Sequence, residues 1–376
     1  MSKMRQVFSL IVFITATAAA CAQAESGARM IDTQSGKIVV EELAAGLDHP
    51  WGMVFLPDGR LLVTERAGRL RILGLDNQVS PPLTGTPEVD ASGQGGLLDV
   101  ALDPEFATNR TIFLSFAEPG GDGASTALAR ATLGDNGLTG LKVIFSQKPK
   151  VSGSGHFGGR IAFSPSGHLF FTMGDRQKFG PAQDLASHLG KIVRLNRDGT
   201  IPNDNPFVGR AGALPEIWSL GHRNVQGAAF EPSTGVLWTN EFGPRGGDEL
   251  NRPEAGKNYG WPLVSWGNHY DGLDIPDPPS RPDFVEALAH WTPVISPSGM
   301  IFYTGAMFPR WRGGILIAGL SSQGLVRVQV ESGKASEAER IPFGDRIRDV
   351  EQAPDGSIYV LTDEGNGKVL RLRPQR

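Results

Sequence analysis

The sequence predicts an all-β fold, a six-bladed β-propeller of four-stranded antiparallel blades, and three observations carry that expectation. One pattern, an apolar stretch, a Pro-Asp-Gly-like turn and a second apolar stretch, returns six times: MVFLPDGRLLVTE (53–65), LDVALDPEFATNRTIFLSF (98–116), IAFSPSGHLFFTM (161–173), AAFEPSTGVLWTN (228–240), MIFYTGAMFPRWRGGILIAG (300–319) and VEQAPDGSIYVLT (350–362). Most copies precede a further short strand pattern, such as GRLRIL (68–73), GKIVRLN (190–196) or GKVLRLR (367–373). Glycine is abundant, 49 residues of 376, which suits short strands joined by tight turns. Each copy alternates as a hairpin does, and its turn supplies Pro, Asp or Gly where φ must be fixed or positive. A return every 50 to 70 residues, roughly, marks a radial array of sheets. A pair of β-sandwiches would fit the length but not so regular a recurrence.

Taken in order, the chain opens on a segment set apart from the fold. Lys3 and Arg5 precede an apolar run from Val7 to Ala20, and Ala22-Gln23-Ala24 is a small-x-small cleavage site. The expectation is a secretory signal over residues 1–24, cleavage after Ala24, and a periplasmic or secreted product with one domain over 25–376. The run is too short to span a bilayer. Cys21, the only cysteine, follows three alanines; a lipoprotein signal is the alternative, although Ala18 stands where such signals usually carry leucine. With no second cysteine the mature domain forms no internal disulfide. The formal net charge of −4 is small and no block of like charge occurs, which argues against nucleic acid and membrane-surface partners.

Polar, glycine-rich segments lie beside the repeat hairpins, where a propeller would bring them to one rim. His156 sits among glycines at the mouth of a strand, and Asp175 returns beside it where the paired strand ends. That arrangement suits a general base and its orienting acid, although on these residues alone a loop histidine and a turn cap is the plainer reading. Gln94 lies in Gly93-Gln94-Gly95-Gly96. Arg223 and Asn224 offer a guanidinium and an amide within an apolar stretch. Arg346 and Arg348, two apart on a strand, face one side. Three arginines suit an anionic ligand, bound bidentately through planar carboxylates; structural ion pairing is the plainer reading, since Asp349 is adjacent. The segments 240–251 and 256–262 are rich in oxygen donors and glycine, as hard divalent cations such as calcium require, without EF-hand spacing. His49, His168, His188 and His290 read as surface or turn residues. Trp51 and Trp261 read as packing between blades, and Trp291 as either pocket wall or core.

These segments, from Leu47-Asp48-His49-Pro50-Trp51-Gly52 through GQGGLLDVALDPEF, SGHFGGRIAF, TMGDR, SLGHRNVQGAAF, NEFGPRGGDELN, GKNYGWP and RIRDVEQAPDGSIYVLTDE, resemble the soluble quinoprotein glucose and aldose sugar dehydrogenases. The resemblance covers nearly the whole mature chain and is nearer the shorter aldose branch. It implies pyrroloquinoline quinone (PQQ) and calcium as cofactors and oxidation of an aldose at its anomeric carbon to a lactone. Electrons would leave to an external acceptor, from a monomer or homodimer without a transmembrane segment. His156 matches the general base, Asp175 its orienting acid, and Arg223 the arginine beside the quinone carbonyls. Gln94, Asn224, Arg346 and Arg348 match cofactor-binding positions. The carbonyls of Gly243 and Pro244 match ligands of the calcium that holds PQQ, while Glu249 and Tyr259, with Asp271, match a second calcium site. Two departures stand out. No lysine occurs in residues 319–324, where many relatives place one against the cofactor, leaving Ser322 or Gln323 as substitutes. Gly155 replaces the polar residue of glucose-specific relatives. Two other functions fit the sequence: a propeller lactonase with channel calcium, disfavoured because no ring of channel carboxylates is evident, and a binding propeller whose site has decayed.

Overall fold

The computed structural model describes residues 28–121 and 123–375; the expected signal segment, Cys21 and the cleavage site lie outside them. The described chain opens with a hairpin, β1 (Arg29–Thr33) and β2 (Gly36–Leu47). The first blade follows as β3 (Pro50–Phe55), β4 (Leu61–Glu65) and β5 (Arg69–Leu73). The second is β6 (Leu97–Leu102), β7 (Thr111–Gly120), β8 (Gly123–Leu133) and β9 (Leu138–Ser146), and the third β10 (Gly158–Phe163), β11 (Leu169–Met173), β12 (Lys191–Leu195) and β13 (Ile217–Leu220). The fourth is β14 (Val225–Phe230), β15 (Leu237–Glu241), β16 (Asp248–Asn251) and β17 (Ala289–Trp291). The fifth is β18 (Pro297–Phe302), β19 (Ile315–Gly319), β20 (Gly324–Glu331) and β21 (Lys334–Pro342), and the sixth β22 (Ile347–Gln352), β23 (Ile358–Thr362) and β24 (Gly367–Pro374). Every pairing between these strands is antiparallel.

The first strands β3, β6, β10, β14, β18 and β22 pack side by side in that order, and β22 returns to β3, closing a ring of six blades. Two blades depart from four strands. The first has three, with only a lone bridge between Leu73 and Val79 outside them. Pro81, Pro82 and Pro87 follow there, and proline has no N–H to give a ladder. The sixth has five, because β2 pairs with β24 from Ile38–Pro374 to Leu47–Gly367 and brings β1 along. The pairing of β2 with β24 thus fastens the ring.

The repeated hairpins bury their apolar faces between neighbouring blades, and there is one apolar cluster at each of the six junctions. Leu62 meets Leu114 and Phe116 between blades one and two, Phe113 meets Phe171 between two and three, and Phe170 meets Leu237 between three and four. Trp238 meets Phe302 between four and five, Leu316 meets Val350 between five and six, and Met53 meets Leu361 where the ring closes. Burial at about 25 cal/mol per Å² of apolar surface is the main driving force holding the blades together.

One irregularity recurs in all six. The first strand of every blade carries a register shift near its start, between Pro50 and Met53, Leu97 and Val100, Gly158 and Ile161, Val225 and Gly227, Pro297 and Met300, and Ile347 and Asp349. A bulge takes a residue out of the ladder and re-aims its side chain. The residues so placed include Trp51, Asp99, Arg160, Gln226, Ser298 and Arg348. Since the strands alternate in direction, the start of each first strand and the end of each second strand lie at one end of the ring, and the polar segments collect there. Among the described residues no helix is long and apolar enough to cross a membrane.

Candidate active site

His156 is held in the left-handed region at φ 51° by its glycine-rich surroundings. Its loop lies so close to the end of β11 that a Cβ on Gly174 would stand 2.0 Å from the His156 carbonyl oxygen, so only glycine fits at 174. Asp175 comes next, fully buried. Its Oδ1 lies 2.7 Å from His156 Nδ1 and accepts Gln177 N–H at 2.8 Å, while its Oδ2 accepts Trp261 Nε1–H at 2.8 Å. With Nδ1–H given to the carboxylate, the lone pair of the neutral ring is on Nε2. Burial lowers the His156 pKa below its ordinary value, and the Arg223 and Arg176 cations add to that against the opposing pull of Asp175. Burial alone would raise the Asp175 carboxyl; its bonds from His156, Trp261 and Gln177 outweigh this and keep it ionised. The pair is a neutral imidazole held by an ionised carboxylate.

Gln94 ties the His156 loop to the neighbouring cavity. Its Oε1 accepts His156 N–H at 2.7 Å, and its own N–H reaches the Ser154 carbonyl at 2.7 Å. It lines a cavity of about 180 Å³ together with Trp51, Arg66, Asn224, Gln226, Phe242, Leu320, Arg346, Arg348 and Asp363. Asp363 Oδ2 accepts from Arg348 at 3.0 Å and Arg346 at 3.2 Å. A hydrogen-bonded run leads from Arg348 through Gln226 (3.3 Å) to Asn224 Oδ1 (3.2 Å), which also accepts Gly158 N–H at 3.1 Å. Asn224 Nδ2 and Arg348 Nε are buried without a partner. Within the lysine-free segment 319–324 it is Leu320 that lines the wall; Ser322 and Gln323, expected as substitutes, do not line the cavity.

Arg223 occupies the far side of Phe242. Its Nη1 donates to the Phe242 carbonyl at 3.1 Å and its Nη2 to Tyr270 OH at 3.3 Å, its guanidinium faces Trp261 at 5.2 Å, and its Nε has no partner. Arg223 and the Arg346–Arg348 pair therefore line neighbouring cavities that meet at Phe242. A wider cavity of about 470 Å³ opens beyond it, lined by Gly243, Pro244, Asp248 and Tyr270.

Beneath Arg223 is a cluster of acids. Glu241 accepts from His222 Nδ1 at 3.0 Å, from Asn251 at 3.1 Å and from Arg223 N–H at 2.6 Å. Glu249 faces it across the β15–β16 ladder. Burial, with Glu241 adding repulsion, pushes the Glu249 carboxyl up to about 8. Tyr259 stacks on His222 at 4.8 Å and lines the same small cavity as Glu241, Glu249 and Gly243. Among the described residues no three His, Cys, Asp or Glu side chains converge as a metal cage, and no donor occupies the Gly243 or Pro244 carbonyl. Asp271 is exposed, accepts Leu273 N–H at 3.1 Å, and lines none of these cavities.

Below the cavity floor the bulged residues meet across the ring. Arg160 Nη1 lies 3.0 Å from both Asp99 and Asp349, its Nε donates to the Gln226 carbonyl at 3.0 Å, and its guanidinium covers the Trp51 ring at 4.4 Å. Two carboxylates thus approach one another through a shared guanidinium, which is not a ring of channel carboxylates. A guanidinium binds both of them, so they are not free to serve a lactonase metal.

The structure gathers His156, Asp175, Gln94, Asn224 and Arg223 into one contiguous network, and sets Arg346 and Arg348 on the wall of the cavity that Gln94 and Asn224 line. Sequence reasoning missed Arg66, Gln226 and Asp363, and gave Trp51 and Trp261 only a packing role. Position in the blade was the available signal: Arg66, Phe242, Leu320 and Asp363 each come directly after a second strand, and Asp175 two residues after one. His188 is buried rather than on the surface, bonded to Lys148 N–H at 3.0 Å and Glu216 at 2.9 Å, partners distant in sequence. Trp291 belongs to the core between blades four and five, its Nε1 on Glu337 at 2.7 Å.

The model of the glucose/sorbosone dehydrogenase family matches residues 47–371. The aldose sugar dehydrogenase YliI of Escherichia coli K12 is 45% identical over 346 residues, covering 89% of this chain and 93% of that protein. Among solved structures, the apo form of the soluble aldose sugar dehydrogenase of Escherichia coli superposes with a TM-score of 0.86 at 44% identity, over 90% of this chain and 100% of that one. The PQQ-bound aldose sugar dehydrogenase of Streptomyces coelicolor does so with 0.74 at 29% identity, over 89% and 98%. With the family model covering most of its length and named dehydrogenases matched nearly end to end, this chain belongs to the glucose/sorbosone dehydrogenase family and is an oxidoreductase.

Proposed function

We propose that the protein oxidises aldoses at the anomeric carbon to lactones, with PQQ and calcium as cofactors. One observation carries the reading: a buried histidine whose Nδ1 is held by a buried aspartate is tied through Gln94 to a cavity lined by Arg66, Arg346 and Arg348. The donor set fits a flat polyanion. Arg348 Nε, Asn224 Nδ2 and Arg223 Nε are buried donors without acceptors, and Arg346 and Arg348 offer guanidiniums suited to carboxylates. The carbonyls of Gly243 and Pro244, with Glu249 and the Tyr259 segment nearby, are oxygen donors of the kind calcium takes; Asp271, exposed on its own turn, is the weakest member of that set.

When bound, PQQ supplies the two-electron acceptor and calcium a Lewis acid that orients it. His156 Nε2 removes the proton of the anomeric hydroxyl as the anomeric hydrogen leaves with its electron pair, so the sugar loses two electrons and two protons and becomes the lactone. Asp175 fixes the tautomer and stabilises the imidazolium that forms. Arg223 supplies positive charge where negative charge develops. Gln94 holds the His156 loop in place, and Asn224 with Arg346 and Arg348 hold the anionic ligand. An external acceptor takes the electrons, and residues 1–24 direct the chain to the periplasm or out of the cell.

The test is reconstitution with PQQ and calcium and a dye-reduction assay on glucose and other aldoses, beside H156A. Turnover that needs PQQ and falls about 10²- to 10⁴-fold in H156A is the expected result. Absence of turnover in the wild type, or an H156A enzyme of undiminished rate, would overturn it.

A further inference from the structure

We propose that Arg66 is a third arm of the anion-binding wall, gripping the same carboxylate-bearing edge of the ligand as Arg346 and Arg348; this rests on reading the 180 Å³ cavity as the cofactor site. Arg66 directly follows β4 and lines that cavity from the first blade, which adjoins the sixth blade and its arginine pair. Its main chain is fixed on both sides, the N–H on the His49 carbonyl at 3.2 Å and the carbonyl on Leu97 N–H at 3.1 Å. A Cβ on Gly96 would lie 2.1 Å from that carbonyl oxygen, so the Gly93–Gly96 loop closes tightly over it.

One edge of the guanidinium is already committed. Nε donates to the Gly95 carbonyl at 3.0 Å, and Nη2 to the Gly93 carbonyl. Those bonds fix the plane of the group and leave Nη1 without a partner among the described residues. A preset guanidinium with a free donor at a cavity wall is suited to a planar carboxylate.

Charge supports the same conclusion. Three arginines face this cavity and only Asp363 answers them, its Oδ2 shared by two of them while its Oδ1 is buried without a partner. Burial lowers the Arg348 pKa, and repulsion from Arg346 and Arg66 adds to it. Like charges gathered in a poorly solvated space want counter-anions. A ligand with two or more carboxylates on one rigid frame supplies them; a neutral sugar does not.

The experiment titrates PQQ, with calcium present, into the full chain by quenching of tryptophan fluorescence, since Trp51 lines the cavity. Benzene-1,3,5-tricarboxylate serves as a second ligand with no redox chemistry. R66Q keeps a donor for the glycine carbonyls and removes the charge; R66K keeps the charge and loses the fork. We expect R66Q to weaken both ligands about 10- to 100-fold and to flatten the salt dependence of Kd, with R66K between it and the wild type. An unchanged PQQ Kd in R66Q overturns the role of Arg66 and leaves the cofactor reading intact. Arg66-dependent binding of the tricarboxylate without PQQ binding supports Arg66 and overturns the cofactor reading, and binding of neither ligand by the wild type overturns both. Should R66Q melt below the assay temperature, R66K decides, since an unchanged Kd there overturns the role of the preset Arg66 guanidinium.

Discussion

Replacing Asp175 by asparagine tests how the base is held. The carboxylate serves three donors at once: His156 Nδ1–H, Trp261 Nε1–H and Gln177 N–H. An asparagine keeps one acceptor and turns the other arm into a donor, which then opposes either the indole or the imidazole. The lost charge-assisted bond is worth about 1.5–3 kcal/mol, and at 1.36 kcal/mol per factor of ten kcat/KM should fall roughly 10- to 150-fold. The stranded donor should cost a further 1–3 kcal/mol or so of stability, read as a lower melting temperature. The acid limb of the pH–rate profile gives the sharper test. Burial lowers the wild-type His156 pKa while Asp175 pulls it up, so the limb should lie below 6.5 and move lower still in D175N. Folding stability follows the same sign: below pH 6.5 the unfolded chain binds the His156 proton more readily, so stability is lost as pH falls from 6.5 towards the folded value. Dye reduction by glucose, measured from pH 4.5 to 8 or so, reads the limb. A loss of less than about threefold, or a limb that moves upward, would refute the assignment of Asp175 as orienter. W261F, which removes one donor and leaves the carboxylate, should show a milder loss.

Two further outcomes follow from the buried charges. R160M removes the guanidinium that Asp99 and Asp349 share and should cost about 3–5 kcal/mol, lowering the melting temperature by roughly 5 to 10 °C. Burial already pushes Asp349 up to about 6; without Arg160 both acids hold protons longer, so the loss should be greater at pH 8 than at pH 5, and a pH-independent loss would contradict this account. Calcium at a hundredfold over its Kd should stabilise the wild type by about 2.7 kcal/mol, seen as a rise in melting temperature. E249Q should lose most of that rise; an equal rise in E249Q would remove Glu249 from the ligand set.

How much of this was legible in the sequence depended on the range of the interaction. The hairpins are local, since alternation and turn chemistry sit within a dozen residues or so, and so the six blades could be read. The three-stranded first blade and the five-stranded sixth could not be read from the repeat, because one depends on prolines after β5 and the other on the pairing of β2 with β24. His156 and Asp175 were legible because a single hairpin joins them. Arg66 and Asp363 were not, because each is an ordinary polar residue until the ring brings blades one and six together. The Arg160 cluster was hidden for the same reason, its members standing alone on strands of blades two, three and six. Trp261 was read as packing because nothing near it in sequence points to Asp175, 86 residues away.

The bulges at the heads of the first strands divide the molecule's labour in a way that bears on its history. Between blades, side chains sit in regular register and interlock, so an exchange there disturbs two sheets at once. At those bulges whose side chains line the cavity rather than join the Arg160 cluster, a side chain hangs off the ladder and its replacement breaks no rung. Trp51, Gln226 and Arg348 stand at such places. Diversification by exchange of such tips, with the barrel of walls left untouched, is the route this architecture leaves open, and descendants of one scaffold can acquire new guests without first relearning how to fold.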